Sequence, residues 1–146
     1  MDIVGTGGGV DDAIHKLNMS FNYYQEVTLE EARGLIVSVV TACLTEINAN
    51  PKWRPYFTEY PVTEKTLDVR IYIKNPDYSE LPLNAINAMS ASKGSLEYKI
   101  ILPGIAPIKT VHEEIYQEAL AIVCSQGKAP SDVDCEGVQS VSRGIK

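Results

Sequence analysis

The sequence predicts a single α+β domain, in the order β-α-β-β-β-α, with a four-stranded, mainly antiparallel sheet and two helices packed on one face. Three observations predict this architecture. Three segments alternate apolar and polar residues with a period of two, and a weaker fourth lies between two of them. Two further segments carry apolar residues at helical spacing. Strands with one apolar face favour an antiparallel sheet whose second face is open to solvent.

The length and composition suit one folded domain. The chain has 146 residues, of which 45% are hydrophobic and 22% charged, close to the average of globular proteins. Its formal net charge of −6 argues against a nucleic-acid binder, because neutralisation of phosphates supplies most non-specific affinity for nucleic acids. No apolar run approaches the roughly 20 residues that span a bilayer, so no transmembrane segment is expected.

The first predicted strand covers Leu17 to Tyr23, and a helix follows from Thr28 to about Asn50. Thr28 and Glu31 have the spacing of a capping box, in which each side chain bonds the backbone N–H of the other residue. Asn50-Pro51 ends the helix. The residues of its apolar face are Ala32, Ile36, Val39, Val40, Cys43, Leu44 and Ile47.

Three more strands are predicted at 67–73, at about 85–91 and at 96–102, and Ser92-Lys93-Gly94 indicates a hairpin turn between the last two. The second helix is predicted from Thr110 to about Cys124, because Thr110 and Glu113 repeat the capping-box spacing. The apolar residues that this helix would turn inward are Val111, Ile115, Ala119, Ile122 and Val123. On this interpretation His112, Glu113 and Glu114 lie in a solvated first turn, where carboxylates favour the helix dipole.

The ends of the chain are expected to lie outside the domain. Residues 1–13 contain the run Gly5-Thr6-Gly7-Gly8-Gly9 and are predicted to form a flexible leader, residues 14–125 the domain, and residues 126–146 a tail or strap. The start has no basic and apolar segment of the secretory type. The protein is therefore expected to be cytoplasmic, or exported with its signal absent from this chain.

Several motifs resemble those of a group of small bacterial proteins of unknown function. They are the runs 19–24 (Met-Ser-Phe-Asn-Tyr-Tyr), 28–33 (Thr-Leu-Glu-Glu-Ala-Arg), 53–56 (Trp-Arg-Pro-Tyr) and 59–61 (Glu-Tyr-Pro). The resemblance covers roughly residues 14 to 124. Members of that group often carry an export or lipoprotein signal, so the resemblance implies export as one alternative. It implies no activity, cofactor or catalytic residue.

The most distinctive segment is 51–61, which is rich in proline and aromatic residues and holds the single tryptophan of the chain. Two interpretations stay open. Aromatic rings beside arginine suit a binding loop, and a connection this long between a helix and a strand is often functional. Alternatively, the rings fill the end of the sheet and the prolines stiffen the connection. The candidate binding residues are Trp53, Arg54, Tyr56, Phe57 and Tyr60.

The three cysteines have different expectations. Cys43 lies on the apolar face of the first helix and is expected to be a buried, inert thiol. Cys124 and Cys135 could form a disulfide in an oxidising compartment, which would stabilise the chain by about 2–3 kcal/mol, and they would stay reduced in the cytosol. His112 lies too far along the predicted helix from Cys124 to act on it, whereas spacing does not exclude a pair of His112 with Cys43.

No cofactor, metal site or catalytic residue is predicted. The cysteines lack Cys-x-x-Cys spacing, no second histidine follows His112 by four positions, and residues 5–10 do not have dinucleotide-loop spacing. The favoured function is a non-enzymatic binding or protein-interaction module, with another protein as its partner, that works through the open sheet face or the aromatic segment. The alternatives are a small hydrolase or thiol enzyme, and a homo-oligomeric structural subunit.

Overall fold

The computed structural model describes residues 2–10, 14–57, 59–79, 81–82, 84–101, 108–127 and 135. These residues form an α+β domain with a mixed sheet. The strands are β1 (Asp2–Val10), β2 (Ile14–Tyr23), β3 (Leu67–Ile73), β4 (Ile86–Ser92), β5 (Ser95–Ile101) and β6 (Ile108–Ile115). The helices are α1 (Leu29–Ala49) and α2 (Tyr116–Ser125), with two 3₁₀ helices at Pro51–Tyr56 and Glu64–Thr66.

The sheet has six strands in sequence order, from β1 at one edge to β6 at the other. All neighbouring pairs are antiparallel except β2 and β3, which run parallel because α1 carries the chain back between them. The prediction of an α+β domain is confirmed, whereas the four-stranded sheet and the β-α-β-β-β-α order are wrong in detail. Two strands were missed, one at each edge.

Strand β1 forms where the sequence predicts a flexible leader. Residues 2–10 pair antiparallel with β2, with register shifts between Ile3 and Gly5 and between Gly9 and Val10. Four of its nine residues are glycines, so the segment has low strand propensity and no apolar alternation. Backbone hydrogen bonding to β2 makes it a strand.

Strand β6 replaces the first turns of the predicted second helix. Residues 108–115 pair with β5, and α2 begins only at Tyr116, with no side-chain cap at Ile115. The predicted capping box of Thr110 and Glu113 is therefore wrong. The side of β6 that faces the helices carries polar groups rather than apolar ones. A hydrophobicity pattern therefore does not show the period of two of this strand.

Two short-range features that the sequence predicts, the capping box of α1 and the turn between β4 and β5, are present in the structure. Glu31 N donates to Thr28 Oγ1 at 3.1 Å, and Thr28 N donates to Glu31 Oε1 at 3.0 Å, which confirms the capping box of α1. Lys93 and Gly94 both have positive φ, at 53° and 83°, in the two-residue turn between β4 and β5. That pair of angles is typical of the type I′ turn, which favours glycine.

Both helices pack on one face of the sheet, around one core. Leu67, Val69 and Ile71 of β3 are fully buried, and they face α1 residues such as Ile36 and Val40. A buried hydrogen bond of 2.7 Å joins Thr41 of α1 to the Tyr116 hydroxyl of α2. The intervening β3 residues point to the opposite, open face.

Helix α1 has the length and hydropathy of a membrane-spanning helix, with 21 residues and a mean hydropathy of 1.3 in its most apolar window. A core helix passes the same test, so this finding does not contradict the expectation that the chain has no transmembrane segment. In this structure the apolar face of α1 packs on the sheet, where Ala32, Ile36 and Val40 are fully buried. Its composition therefore also matches that of a core helix.

Residues 102–107 lie outside the described residues, as do 128–134 and 136–146, which make up most of the predicted C-terminal tail. Cys135 is described, and its Sγ is bonded to that of Cys124, with a Cα–Cα distance of 5.4 Å. The covalent bond attaches residue 135 to the last turn of α2.

Candidate functional site

The structure divides the five aromatic-segment candidates into two groups. Phe57 is 6% exposed and belongs to the core, and Tyr60 is half-buried against it. Trp53, Arg54 and Tyr56 are exposed on the 3₁₀ helix Pro51–Tyr56, with exposed fractions of 39% for Trp53 and 59% for Tyr56. The core interpretation therefore holds for Phe57 and Tyr60, and the binding interpretation stays a prediction for the three exposed residues.

Tyr60 has a structural role at the end of α1. Its hydroxyl lies 3.0 Å from the carbonyl oxygen of Ile47 and 2.9 Å from that of Asn48. The Asn48 side chain pairs with both backbone groups of Val62, at 2.7 and 2.9 Å. The Tyr60 hydroxyl thus donates to carbonyls that the end of a helix leaves without intrahelical partners, and the Asn48 side chain satisfies the backbone of Val62. They hold the connection after residue 57 against α1.

Trp53 lies at an apolar groove between α1 and β2. The groove has a volume of about 640 Å³, which is within the range of small-molecule sites. The lining residues are Leu17, Met19, Phe21, Val39, Ala42, Cys43, Glu46, Ile47 and Trp53.

Cys43 is the free cysteine, and its thiol lines this groove. Its Sγ lies 3.8 Å from Met19 Sδ, and burial raises the pKa of the thiol. A raised pKa keeps the sulfur protonated near neutral pH, and a protonated thiol is a poor nucleophile. His112 is on β6, four strand-to-strand steps from Met19 on β2, or about 19 Å. The structure therefore does not bring Cys43 and His112 together.

His112 instead belongs to a polar cluster around Glu114, at the junction of α1, β5 and β6. Glu114 Oε2 accepts hydrogen bonds from Arg33 Nε at 2.9 Å and from the Tyr98 hydroxyl at 2.6 Å. His112 Nε2 lies 3.2 Å from Glu114 Oε1. The side chains of Glu114 and Arg33 are 5% and 13% exposed, and Tyr98 is fully buried.

The ionisation of this cluster follows from its contacts. Burial opposes ionisation of Glu114, but the hydrogen bonds from Arg33 and Tyr98 outweigh it and hold the pKa of Glu114 below its usual value. The hydrogen bond to Glu114 raises the pKa of Arg33. Burial, followed by the hydrogen bond to Glu114, raises the pKa of Tyr98. Glu114 is thus a charged group whose polar neighbours satisfy it, and the cluster joins α1 to the edge of the sheet.

The placement of Glu113 and Glu114 corrects the expectation that both lie in a solvated helix turn. Glu113 pairs with Glu97 across the strands and is exposed, whereas Glu114 points to the helix side. His112 stacks at a tilt on Tyr98, with ring centroids 5.8 Å apart. The sequence did not predict this cluster, because the capping-box spacing favours a helix in this segment. The alternation of polar residues along a strand would have indicated the cluster.

The open face of the sheet carries a polar trough of about 440 Å³ along β4. Its floor consists of the small residues Ala88, Ser90 and Ser92, while Arg70 and Tyr72 of β3 form one wall and Glu97 and Lys99 of β5 the other. Arg70 does not face the charged residues of β5 directly, because β4 separates β3 from β5. Arg70 lies 3.6 Å from Asp68, which also pairs with Lys16 at 2.9 Å.

Within the part of the chain that the structure describes, no three His, Cys, Asp or Glu side chains cluster in a way that could hold a metal ion. Comparison with known protein families, with curated proteins and with solved structures gives no match.

Proposed function

We propose that this chain is a non-enzymatic binding module that takes an apolar ligand in the groove between α1 and β2. The observation that carries the proposal is the groove itself, an apolar concavity of about 640 Å³ with Trp53 partly exposed at its border. Large exposed apolar surfaces on a folded domain are typical of binding sites. Trp53 was a candidate binding residue from the sequence, and the groove supplies the rest of the site.

The groove also favours binding over catalysis. Its one thiol is held protonated by burial, and Glu46 is the single charged residue of its lining. An activated nucleophile needs a hydrogen bond to a base, whereas the hydrogen bond of the Cys43 thiol goes to the thioether sulfur of Met19. The expectation of a protein as partner stays a prediction, and the volume of the groove suits a small apolar molecule equally well.

Binding of the neutral fluorophore N-phenyl-1-naphthylamine tests this function. We expect saturable binding with one site per chain, and binding about tenfold weaker in Trp53→Ala, because one ring contact contributes on the order of 1 kcal/mol or more. Ala42→Phe, which fills the groove from α1, should abolish binding. The matched control is Tyr56→Ala, since Tyr56 is exposed on the same 3₁₀ helix but does not line the groove.

The result that would overturn the proposal is equally specific. If wild type shows no saturable uptake of the fluorophore, or if Tyr56→Ala weakens binding as much as Trp53→Ala, the groove is not the site. Circular dichroism of each variant confirms that the fold is retained.

A homo-oligomeric subunit is a second candidate, favoured by the outer edge of the sheet. Ile108, Val111 and Ile115 of the edge strand β6 are 56%, 44% and 49% exposed. Exposed apolar side chains on an edge strand favour pairing with a second strand. Multi-angle light scattering should then show a dimer that Val111→Lys converts to a monomer, whereas a wild-type monomer at every concentration excludes this candidate.

A further inference from the structure

One end of the apolar groove carries negative charge without a matching cation. Glu46 lines the groove on α1, and no described residue forms an ion pair with it. The nearby basic residues Lys52 and Arg54 are not part of the lining. Glu46 is exposed to solvent, so a ligand cation that enters the groove can reach its carboxylate directly.

The helix end adds to this charge. Glu46 and Ile47 belong to the last turn of α1, which contains no basic residue. The C-terminus of a helix carries a partial negative charge, which favours cations within its last turn. The Tyr60 hydroxyl satisfies backbone carbonyls there, but it brings no positive charge. The last turn of α1 therefore contributes negative charge to the lining from two sources, whereas the cations Lys52 and Arg54 lie on the adjoining 3₁₀ helix outside the lining.

The third feature of this end of the groove, after Glu46 and the helix end, is the ring of Trp53. Its indole ring borders the same groove as Glu46 and is 39% exposed, so a ligand can reach it. The face of an indole ring attracts cations through its quadrupole, and aromatic rings beside carboxylates are a common way to bind ammonium groups. The rest of the lining, including Leu17, Met19 and Phe21, is apolar and suits a hydrocarbon body.

We propose that the ligand of this groove is a small amphipathic cation. Its hydrocarbon part lies between α1 and β2, and its ammonium group lies at the end bordered by Glu46 and Trp53. The inference rests on the proposed binding function and narrows it to one class of ligand. A neutral apolar molecule would use only part of the lining, and an anion of the same shape would meet the Glu46 carboxylate and the negative helix end.

Three amphiphiles with one chain length test this inference: octyltrimethylammonium and octyl sulfonate, each below its micelle concentration, and 1-octanol below its solubility limit. Their affinities are measured by displacement of N-phenyl-1-naphthylamine. We expect the cation to bind at least tenfold more tightly than the sulfonate, with octanol between them. In Glu46→Gln this preference for the cation over the sulfonate should fall below about threefold.

The control variant is Glu118→Gln, which changes the net charge equally at an exposed residue of α2 that does not line the groove. It should keep the full preference for the cation. A second readout locates the ligand: octyltrimethylammonium should slow the alkylation of Cys43, the free cysteine, by iodoacetamide.

The outcomes separate the two proposals. If the three amphiphiles bind alike, or if Glu118→Gln reduces the preference as much as Glu46→Gln, the inference of a cationic ligand is overturned and the binding function stands. If the fluorophore itself does not bind in a saturable way, both proposals fail.

Discussion

Replacing Glu114 with alanine is expected to lower the free energy of unfolding by about 3–5 kcal/mol, the range seen when one partner of a buried ion pair is removed. Glu114 accepts hydrogen bonds from Arg33 and from the fully buried Tyr98. The alanine variant leaves a largely buried guanidinium without its counter-charge and a buried hydroxyl without its acceptor. Equilibrium unfolding in urea, monitored by circular dichroism, measures the loss.

Glu113→Ala is the matched control. Glu113 is the preceding residue, it is exposed, and its side chain lies on the other side of β6. Its replacement should change the free energy of unfolding by no more than about 0.5 kcal/mol. In a helical first turn the two carboxylates would be nearly equivalent, so equal effects of the two variants would contradict the strand geometry described for this segment.

The same carboxylate makes the stability depend on pH in a defined direction. The pKa of Glu114 in the folded chain lies below its ordinary value of 4.5. Its stabilising contribution is therefore complete above the pKa of the unfolded chain and is lost as the pH falls through the lower, folded-state pKa. The difference in stability between wild type and Glu114→Gln should be largest near neutral pH and should shrink below pH 4.5. A difference that stays constant down to acid pH would contradict this linkage.

Phe57→Ala is expected to be the most disruptive change in the aromatic segment, with a loss of about 3–5 kcal/mol in the free energy of unfolding. The Phe57 ring is 6% exposed, packs in the core and lies beside Trp53 with ring centroids 6.2 Å apart. Its removal would leave a cavity where the connection after the 3₁₀ helix meets α1. Thermal and urea unfolding of the purified variant measure the effect.

Tyr56→Ala provides the comparison at the adjacent position. Tyr56 is 59% exposed, so its loss should change the free energy of unfolding by no more than about 0.5 kcal/mol. The pair of variants separates the two interpretations of the segment residue by residue. A large loss in Tyr56→Ala together with a small loss in Phe57→Ala would reverse the assignment of which ring belongs to the core.

Much of the central fold could be predicted because local and tertiary preferences agree there. The alternation in β2, β3 and β5 matches the buried and exposed faces of the sheet, and the apolar face of α1 matches its packing. The Thr28 capping box and the Lys93-Gly94 turn are set by residues that are neighbours in sequence. Such short-range signals do not depend on knowing the rest of the fold.

The two edge strands could not be predicted for opposite reasons. Strand β1 contains too much glycine to have a strand pattern of its own, and its structure depends on β2. Strand β6 has a misleading pattern, because its inner position 114 is a glutamate and its apolar residues Ile108, Val111 and Ile115 are exposed. A buried carboxylate is an exception to the rule that apolar residues point inward, and its partners Arg33 and Tyr98 are distant in the sequence.

The candidate site was predicted in part for a related reason. Trp53 could be singled out as the sole tryptophan in a segment rich in aromatic residues, and it does border the groove. The groove needs the packing of α1 against β2, which sequence spacing does not reveal. The different burial of Phe57 and Tyr56 depends on the turn of one 3₁₀ helix, and neighbouring aromatic residues carry no signal for that difference.

The single parallel pairing of the sheet, between β2 and β3, bears on the order in which the strands form during folding. Strands β3 to β6 follow one another in the sheet as they do in the chain, so their contacts close short loops. The β2–β3 ladder joins Leu17 to Leu67 and must close a loop that includes all of α1. Loop-closure entropy and contact order therefore favour early formation of the β3–β6 meander, with α1 and β2 docking onto the free edge of β3 afterwards. We therefore expect the apolar groove, which needs both α1 and β2, to be completed late in folding.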